Sequence, residues 1–168
     1  MAESVISLAP LPLTRERFAP FGDVIEASRS QAASMNEARF ERFDDLCSVD
    51  VGSDGRVSIS VARCRAATSL PLRIDKLERH PLGSQAFVPL QACETVIVVA
   101  RPGEDVDVSD LQAFVTQSRQ GFNYHRGTWH MPLIALSVGD EFLVVDRGGA
   151  EANCEEIILD ELVMLEAI

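Results

Sequence analysis

Histidine and lysine are scarce in this chain. Of 168 residues only three are histidine, and Lys76 is the single lysine, so nearly all positive charge rests on arginine. Acidic residues outnumber basic ones to give a net charge of −11, which repels nucleic acid and anionic membrane surfaces. No apolar run approaches the roughly 20 residues of a membrane-spanning helix. The opening "MAESVISLAPLPLTRERF" lacks a basic flank and is interrupted by Pro10 and Pro12, so it does not read as a secretory signal. Cys47, Cys64, Cys93 and Cys154 are scattered without a C-x-x-C pair. That argues against a zinc knuckle or disulfide framework and for a reducing, cytoplasmic setting. Repeats and low-complexity blocks are missing, as are the long amphipathic segments that a βαβ array needs. The length suits one domain spanning 1–168.

Short strand signals recur along the chain: "GDVIE" (22–26), "VSISVAR" (57–63), "LRIDKLERH" (72–80), "SQAFVPL" (84–90), "TVIVVA" (95–100), "LIALSV" (133–138), "EFLVVD" (141–146) and "EEIILDELVMLE" (155–166). Turn chemistry separates them, as in "SDG" (53–55), "HPLG" (80–83) and "RPGED" (101–105). "TRERFAPF" predicts one helical turn, and "VSDLQAFVTQ" (108–117), with an Asp/Ser start and apolar spacing near 3.6, predicts two or three. The fold class expected is all-β: a sandwich, jelly roll or barrel. The apolar "VISLAPLPL" is expected to reach beyond one barrel.

Two stretches carry chemistry. In "LRIDKLERH", strict alternation places Leu72, Ile74, Lys76, Glu78 and His80 on one face, apolar at one end and polar at the other. If "HPLG" closes a hairpin, Gln85 on the next strand meets Glu78 and His80. A carboxylate and an imidazole two apart on one strand face suit a metal or a proton-transfer pair. In "NYHRGTWHMPL", His125 and His130 stand five apart, with Gly127 able to turn the chain so that His130 enters the same pocket. Arg126 beside them suits a carboxylate, which guanidinium binds bidentately. Trp129 reads as core. Singly, each of these polar residues reads more readily as surface or turn; together they read as a site.

The layout of Glu78, His80 and Gln85, followed some forty residues later by "H-x-G-x-x-H" (125–130), resembles the two cupin motifs, with Glu78 where many cupins have histidine and His125 in a proline slot. The longer strings are more specific. "LERHPLGSQAFVPL", "GFNYHRGTWHMPL", "FLVVDRGG" and then "NC", with "FAPFGDVIE" and "RFDDL" (42–46) before them, resemble the ureidoglycolate lyase family in the same order over nearly the whole chain. The family often has a second histidine where this chain has Met131. The resemblance implies a homodimeric cupin-type jelly-roll barrel with one or two short helices. It implies cleavage of (S)-ureidoglycolate to glyoxylate and urea in purine-nitrogen degradation through allantoin, and a divalent metal, nickel being the ion associated with the family. On that basis Glu78, His80, His125 and His130 are the expected catalytic residues. Arg126, Tyr124, Gln85 and Ser84 are the expected substrate contacts, and Glu78, His80, Gln85 and His130 the expected metal ligands. Three other readings stay open: another metal-dependent cupin enzyme, such as a dioxygenase or isomerase on a small organic acid; a non-catalytic cupin that binds a small acid; and an amidohydrolase that releases ammonia from the same substrate.

Overall fold

In the computed structural model, which describes residues 5–27 and 32–168, the chain is built almost entirely of strands. The eight-stranded sheet contains β1 (Ile6–Leu8), β2 (Leu11–Pro12), β7 (Leu72–Arg79), β9 (Thr95–Ala100), β10 (Gln112–Val115), β12 (Trp129–His130), β13 (Ile134–Ala135) and β15 (Glu155–Leu165). Its order is β1-β15-β7-β12-β9-β10-β2, with β13 also on β9. The five-stranded sheet runs β3 (Gly22–Ile25), β11 (Gly121–Tyr124), β8 (Gln85–Pro89), β14 (Glu141–Gly148) and β6 (Arg56–Arg63). A separate hairpin pairs β4 (Ala32–Met35) with β5 (Phe40–Phe43).

The N-terminal segment shows how the larger sheet closes. β1 joins β15 and β2 joins β10, both in parallel, at opposite ends of the strand order. Only Ala9 and Pro10 lie between them, so the sheet must curl until its edges nearly meet. "VISLAPLPL" therefore stays on its own barrel instead of reaching beyond it.

Every residue of β9 is buried, because its two faces serve two cores. Ile97 and Val99 enter a cluster with Phe87, Phe114, Phe122 and Phe142, between the two sheets. Val96, Val98 and Ala100 enter a second cluster with Ile74, Leu77, Trp129 and Val163. The fold is an all-β, cupin-type barrel, as expected, and its one α-helix among the described residues is the single turn α1 (Arg15–Phe18), capped by Thr14.

Two local expectations fail for identifiable reasons. The Asp/Ser signal at 107–109 is real, since Asp107 caps a 3-10 turn at Val108–Asp110, but the chain then extends into β10. Ala113 and Phe114 bury against opposite cores, and that two-sided burial imitates helical spacing. Nor is there strict alternation along β7: Ile74 and Leu77, three apart, enter the same cluster. The neighbouring strand explains the slip. Register with β15 jumps between Ile158, opposite Lys76, and Val163, opposite Ile74, so the ladder is interrupted where the alternation of β7 changes phase.

Candidate active site

The upper end of β7 carries the site. β7 and β8 do not form the expected hairpin; they belong to different sheets, and the turn between them bridges the barrel mouth. Across β7 lies β12, where His130 sits opposite Glu78. The result is a cluster in which one ligand atom each from Glu78, His80 and His130 lies within 4.8 Å of the others.

Each imidazole is oriented by a backbone carbonyl. His130, 1 % exposed, donates from Nδ1 to the Thr128 carbonyl at 2.9 Å, and its ring stacks on Tyr124 with centroids 4.0 Å apart and planes 15° apart. His80 Nδ1 meets the Asn153 carbonyl at 2.6 Å. With both Nδ1 atoms used in this way, both Nε2 atoms face the cluster. His130 Nε2 is buried and has no hydrogen-bond partner; Glu78 Oε1 lies 3.4 Å from it. His80 Nε2 lies 3.0 Å from Gln85 Oε1, and Gln85 Nε2 reaches towards Asp146 Oδ2 at 3.4 Å.

Burial pulls the His130 pKa below its ordinary value and so favours the neutral ring, against the opposing pull of Glu78. Contact with His130 holds the Glu78 carboxyl below the usual carboxylate range, against its own partial burial, so Glu78 is ionised at neutral pH. A neutral His130 with its proton on Nδ1 turns a lone pair toward an anionic oxygen. Two acceptors face each other stably only if something positive lies between them, a proton or a cation. The orphaned Nε2, two carbonyl-anchored imidazoles and one carboxylate thus fit a divalent metal, and oxygen/nitrogen donors of this kind suit first-row ions.

The other predicted residues are placed differently. Alternation on β11 turns Tyr124 inward and His125 outward, so His125 does not join the cluster; its Nε2 meets Asp23 Oδ1 at 3.0 Å on the exposed side. Arg126 is already forked onto Asp50, with Nε 2.8 Å from Oδ2 and Nη2 bonded to Oδ1. Its neighbour Gly127, at φ 76°, donates to the His80 carbonyl at 2.9 Å, which ties this turn to the cluster. Ser84 is buried and accepts from the Asp50 N–H at 2.8 Å, so it holds the loop that carries Asp50 and does not face the cluster. Trp129 packs in the second core with Arg79 over its ring, as its core reading requires.

The sequence reading missed four contributors. Asn153 anchors His80 through its carbonyl and the Leu82 N–H through Oδ1 at 2.7 Å. Asp50 organises Arg126 from 76 residues away. Asp146 contacts Gln85. Cys154 lies with Sγ 3.8 Å from Glu78 Oε2. The "NC" and "FLVVDRGG" strings hold Asn153, Cys154 and Asp146, whereas nothing local signalled Asp50.

Residues 5–166 match the family model described as ureidoglycolate lyase. Among curated relatives, a ureidoglycolate lyase of Pseudomonas fluorescens is 49 % identical over 152 residues, covering 89 % of this chain and 90 % of the relative. One of Burkholderia mallei is 48 % identical over 155 residues, covering 92 % and 90 % respectively. One of Escherichia coli is 44 % identical over 150 residues, covering 89 % and 92 %. Identity at this level over nine-tenths of each chain leaves no room for a merely shared architecture: the chain belongs to the ureidoglycolate lyase family.

Proposed function

We propose that the protein cleaves ureidoglycolate to glyoxylate and urea, at the cluster of Glu78, His80 and His130. The observation that carries this reading is their convergence within 4.8 Å, at one mouth of the barrel, in a chain of this family. The chemistry suits them. Ureidoglycolate bears a hydroxyl and a ureido nitrogen on one carbon. Cleavage removes the hydroxyl proton, forms the C=O bond, breaks the C–N bond and places a proton on the departing nitrogen. No net proton is gained or lost. A single ionised carboxylate can therefore take the proton from oxygen and return it to nitrogen, and Glu78 is the group positioned for that. His130, locked by Thr128 and Tyr124, fixes the carboxylate edge, while His80 and Gln85 wall the other side.

Arg126 serves the substrate carboxylate. Its fork with Asp50 uses Nε and Nη2, which leaves the Nη1 donors for a second anion and keeps the guanidinium plane fixed. Tyr124, whose phenol burial keeps protonated, closes the floor beneath His130. A divalent metal fits at Glu78 Oε1, His80 Nε2 and His130 Nε2, with Gln85 Oε1 adjacent, and nickel is one ion such donors accept. When bound it would supply positive charge to stabilise a developing alkoxide. The remaining elements of this reading are a single catalytic unit spanning the chain, a homodimer, a cytoplasmic setting, and a place in purine-nitrogen degradation. Among the described residues no helix is long and apolar enough to cross a membrane.

Product analysis with (S)-ureidoglycolate tests the reading directly. Equimolar glyoxylate and urea are expected. Ammonia in place of urea would make the protein an amidohydrolase, and binding without turnover would make it a small-acid-binding protein.

A further inference from the structure

The outward face of the five-stranded sheet has the wrong chemistry for a solvated surface. In an antiparallel sheet with one face on the core, the other face is ordinarily polar. Here the inward residues are Ala62, Phe142, Val144, Phe87 and Phe122, so the alternate positions point out. Across the strands, register lines up Val61, Leu143, Val88, Gly121 and Ile25 in one outward row, and Ile59 and Val145 begin the next. On β6, the edge strand, Val57, Ile59 and Val61 are 50 %, 68 % and 57 % exposed. Single exposed apolar residues are ordinary, but a contiguous β-branched stripe on a sheet edge marks an interaction surface.

A second uncovered surface lies in the same chain. The β4–β5 hairpin sits on the connection between β3 and β6, the two opposite edges of that sheet, and pairs with no other strand among the described residues. All but Phe43 of its strand residues are exposed, including Phe40 at 57 %. A lone two-stranded hairpin is marginal in water, so this arm needs something to lie on. Charge indicates what. β6 has Arg56 and Arg63 at its ends and no acid, although Arg63 also meets Glu141. The arm and its return carry Glu37, Glu41, Asp44 and Asp45 against Arg39 and Arg42. Size agrees. A stable interface takes roughly 20–30 residues a side; the apolar rows alone fall short of this, and the arm brings the total near it.

We propose that the outward face of β6 and β14 is the contact between two copies of this chain, and that the β4–β5 arm of each copy lies on the apolar face of the other. A two-fold arrangement satisfies both surfaces with one symmetric interface. The proposal rests on the homodimer reading above and locates its interface.

The test compares sedimentation or light-scattering mass at micromolar concentration for wild type, Ile59→Asp, Val138→Asp and a chain with 32–43 replaced by a short glycine–serine linker. Val138 is as exposed as Ile59, at 68 %, but lies in the turn before β14 and on no strand of this sheet. Wild type and Val138→Asp are expected at twice the 18.4 kDa chain mass. Ile59→Asp and the arm replacement are expected at one chain mass or with dimer association weakened at least a hundredfold, with unchanged circular dichroism. A dimer that survives Ile59→Asp or arm replacement overturns this placement while leaving the homodimer reading intact. Dissociation of Val138→Asp to the same extent also overturns it, because the effect would then be one of added charge alone. A monomeric wild type overturns both readings.

Discussion

His130 Nε2 stands 3.4 Å from Glu78 Oε1 with no hydrogen-bond partner of its own, while Nδ1 of the same ring is fixed on the Thr128 carbonyl. That pairing makes Glu78 the residue most sensitive to a change of charge at constant shape. Glu78→Gln keeps the volume and removes the proton acceptor. Because a positioned general base contributes about 10²- to 10⁴-fold, kcat is expected to fall within that range while KM changes little. Metal content must be measured on the same preparation, since loss of a ligand would lower kcat too. A variant with full metal and wild-type kcat would remove Glu78 from the proton transfer.

The same pair sets the pH response of the chelated protein. Burial holds the folded His130 pKa below its ordinary 6.5, so the unfolded chain binds this proton first. Stability from the neutral ring is complete above about 6.5 and declines as pH falls from there through the folded value. Glu78 adds a second stage: its folded pKa lies below the ordinary 4.5, so its contribution is present above 4.5 and is lost as pH falls further. Thermal melts from pH 8 down to 3 should therefore show two declines, and His130→Asn should remove the first. A slope unchanged in the variant would assign the first decline to another group.

How far the sequence foretold this site depends on the distance over which each contact acts. Glu78 lies at the end of β7, His80 directly follows that strand, and His130 follows a glycine turn, so local spacing sufficed to bring them together. The β7 face argument reached residues that do converge, but by a partly wrong route, because the register shift beside them belongs to the partner strand β15. Arg126 looked free because its partner, Asp50, is 76 residues away and nothing local links them. His125 looked like a site residue because it shares a motif with His130, yet strand parity turns it out toward Asp23. Long apolar strands such as β9 and β14 were legible, whereas two-residue strands such as β12 exist only through the neighbours that pair with them.

Asn153 tests whether an anchor outside the reacting cluster matters. Its carbonyl holds His80 and its side chain holds the Leu82 N–H. Asn153→Ala removes the side-chain bond, whose loss costs about 0.5–1.5 kcal/mol, and frees the turn that carries His80. A kcat reduction of roughly three- to tenfold is expected, with partial recovery in Asn153→Asp, which retains an acceptor oxygen. Equal kinetics in all three proteins would show that the backbone carbonyl alone positions His80.

Gly22 tests the scaffold beneath the site. A Cβ there would lie 1.9 Å from the Asn123 carbonyl oxygen and 2.8 Å from the Phe18 ring, one a backbone atom and the other a core side chain, so neither yields easily. β3 would have to move away from β11, which positions Tyr124 under His130. Overpacking of this kind costs about 1–3 kcal/mol and at times more, and each kcal/mol lowers Tm by roughly 2–4 °C in a chain of this size. Gly22→Ala is expected to melt about 5–10 °C below wild type, with a larger loss of kcat than of KM as the Tyr124–His130 stack loosens. An unchanged melting temperature would mean that the strand has slack the close approach does not suggest.

Arg126→Ala is the sharpest test of substrate recognition, because two opposing outcomes are built into the geometry. If the guanidinium only anchors the Asp50 loop, its removal frees an exposed carboxylate and a mobile loop, and kcat/KM changes little. If it also holds the substrate carboxylate, the variant loses charge-assisted hydrogen bonds of about 1.5–3 kcal/mol each, which is roughly ten- to a few hundredfold in kcat/KM. Most of the loss should appear in KM, since the substrate carboxylate is unchanged between ground state and transition state. Asp50→Asn separates the two roles: it weakens the fork while leaving the guanidinium charge in place, so KM should rise less than in Arg126→Ala. Should Asp50→Asn and Arg126→Ala raise KM equally, the arginine acts through the loop and the carboxylate is held elsewhere.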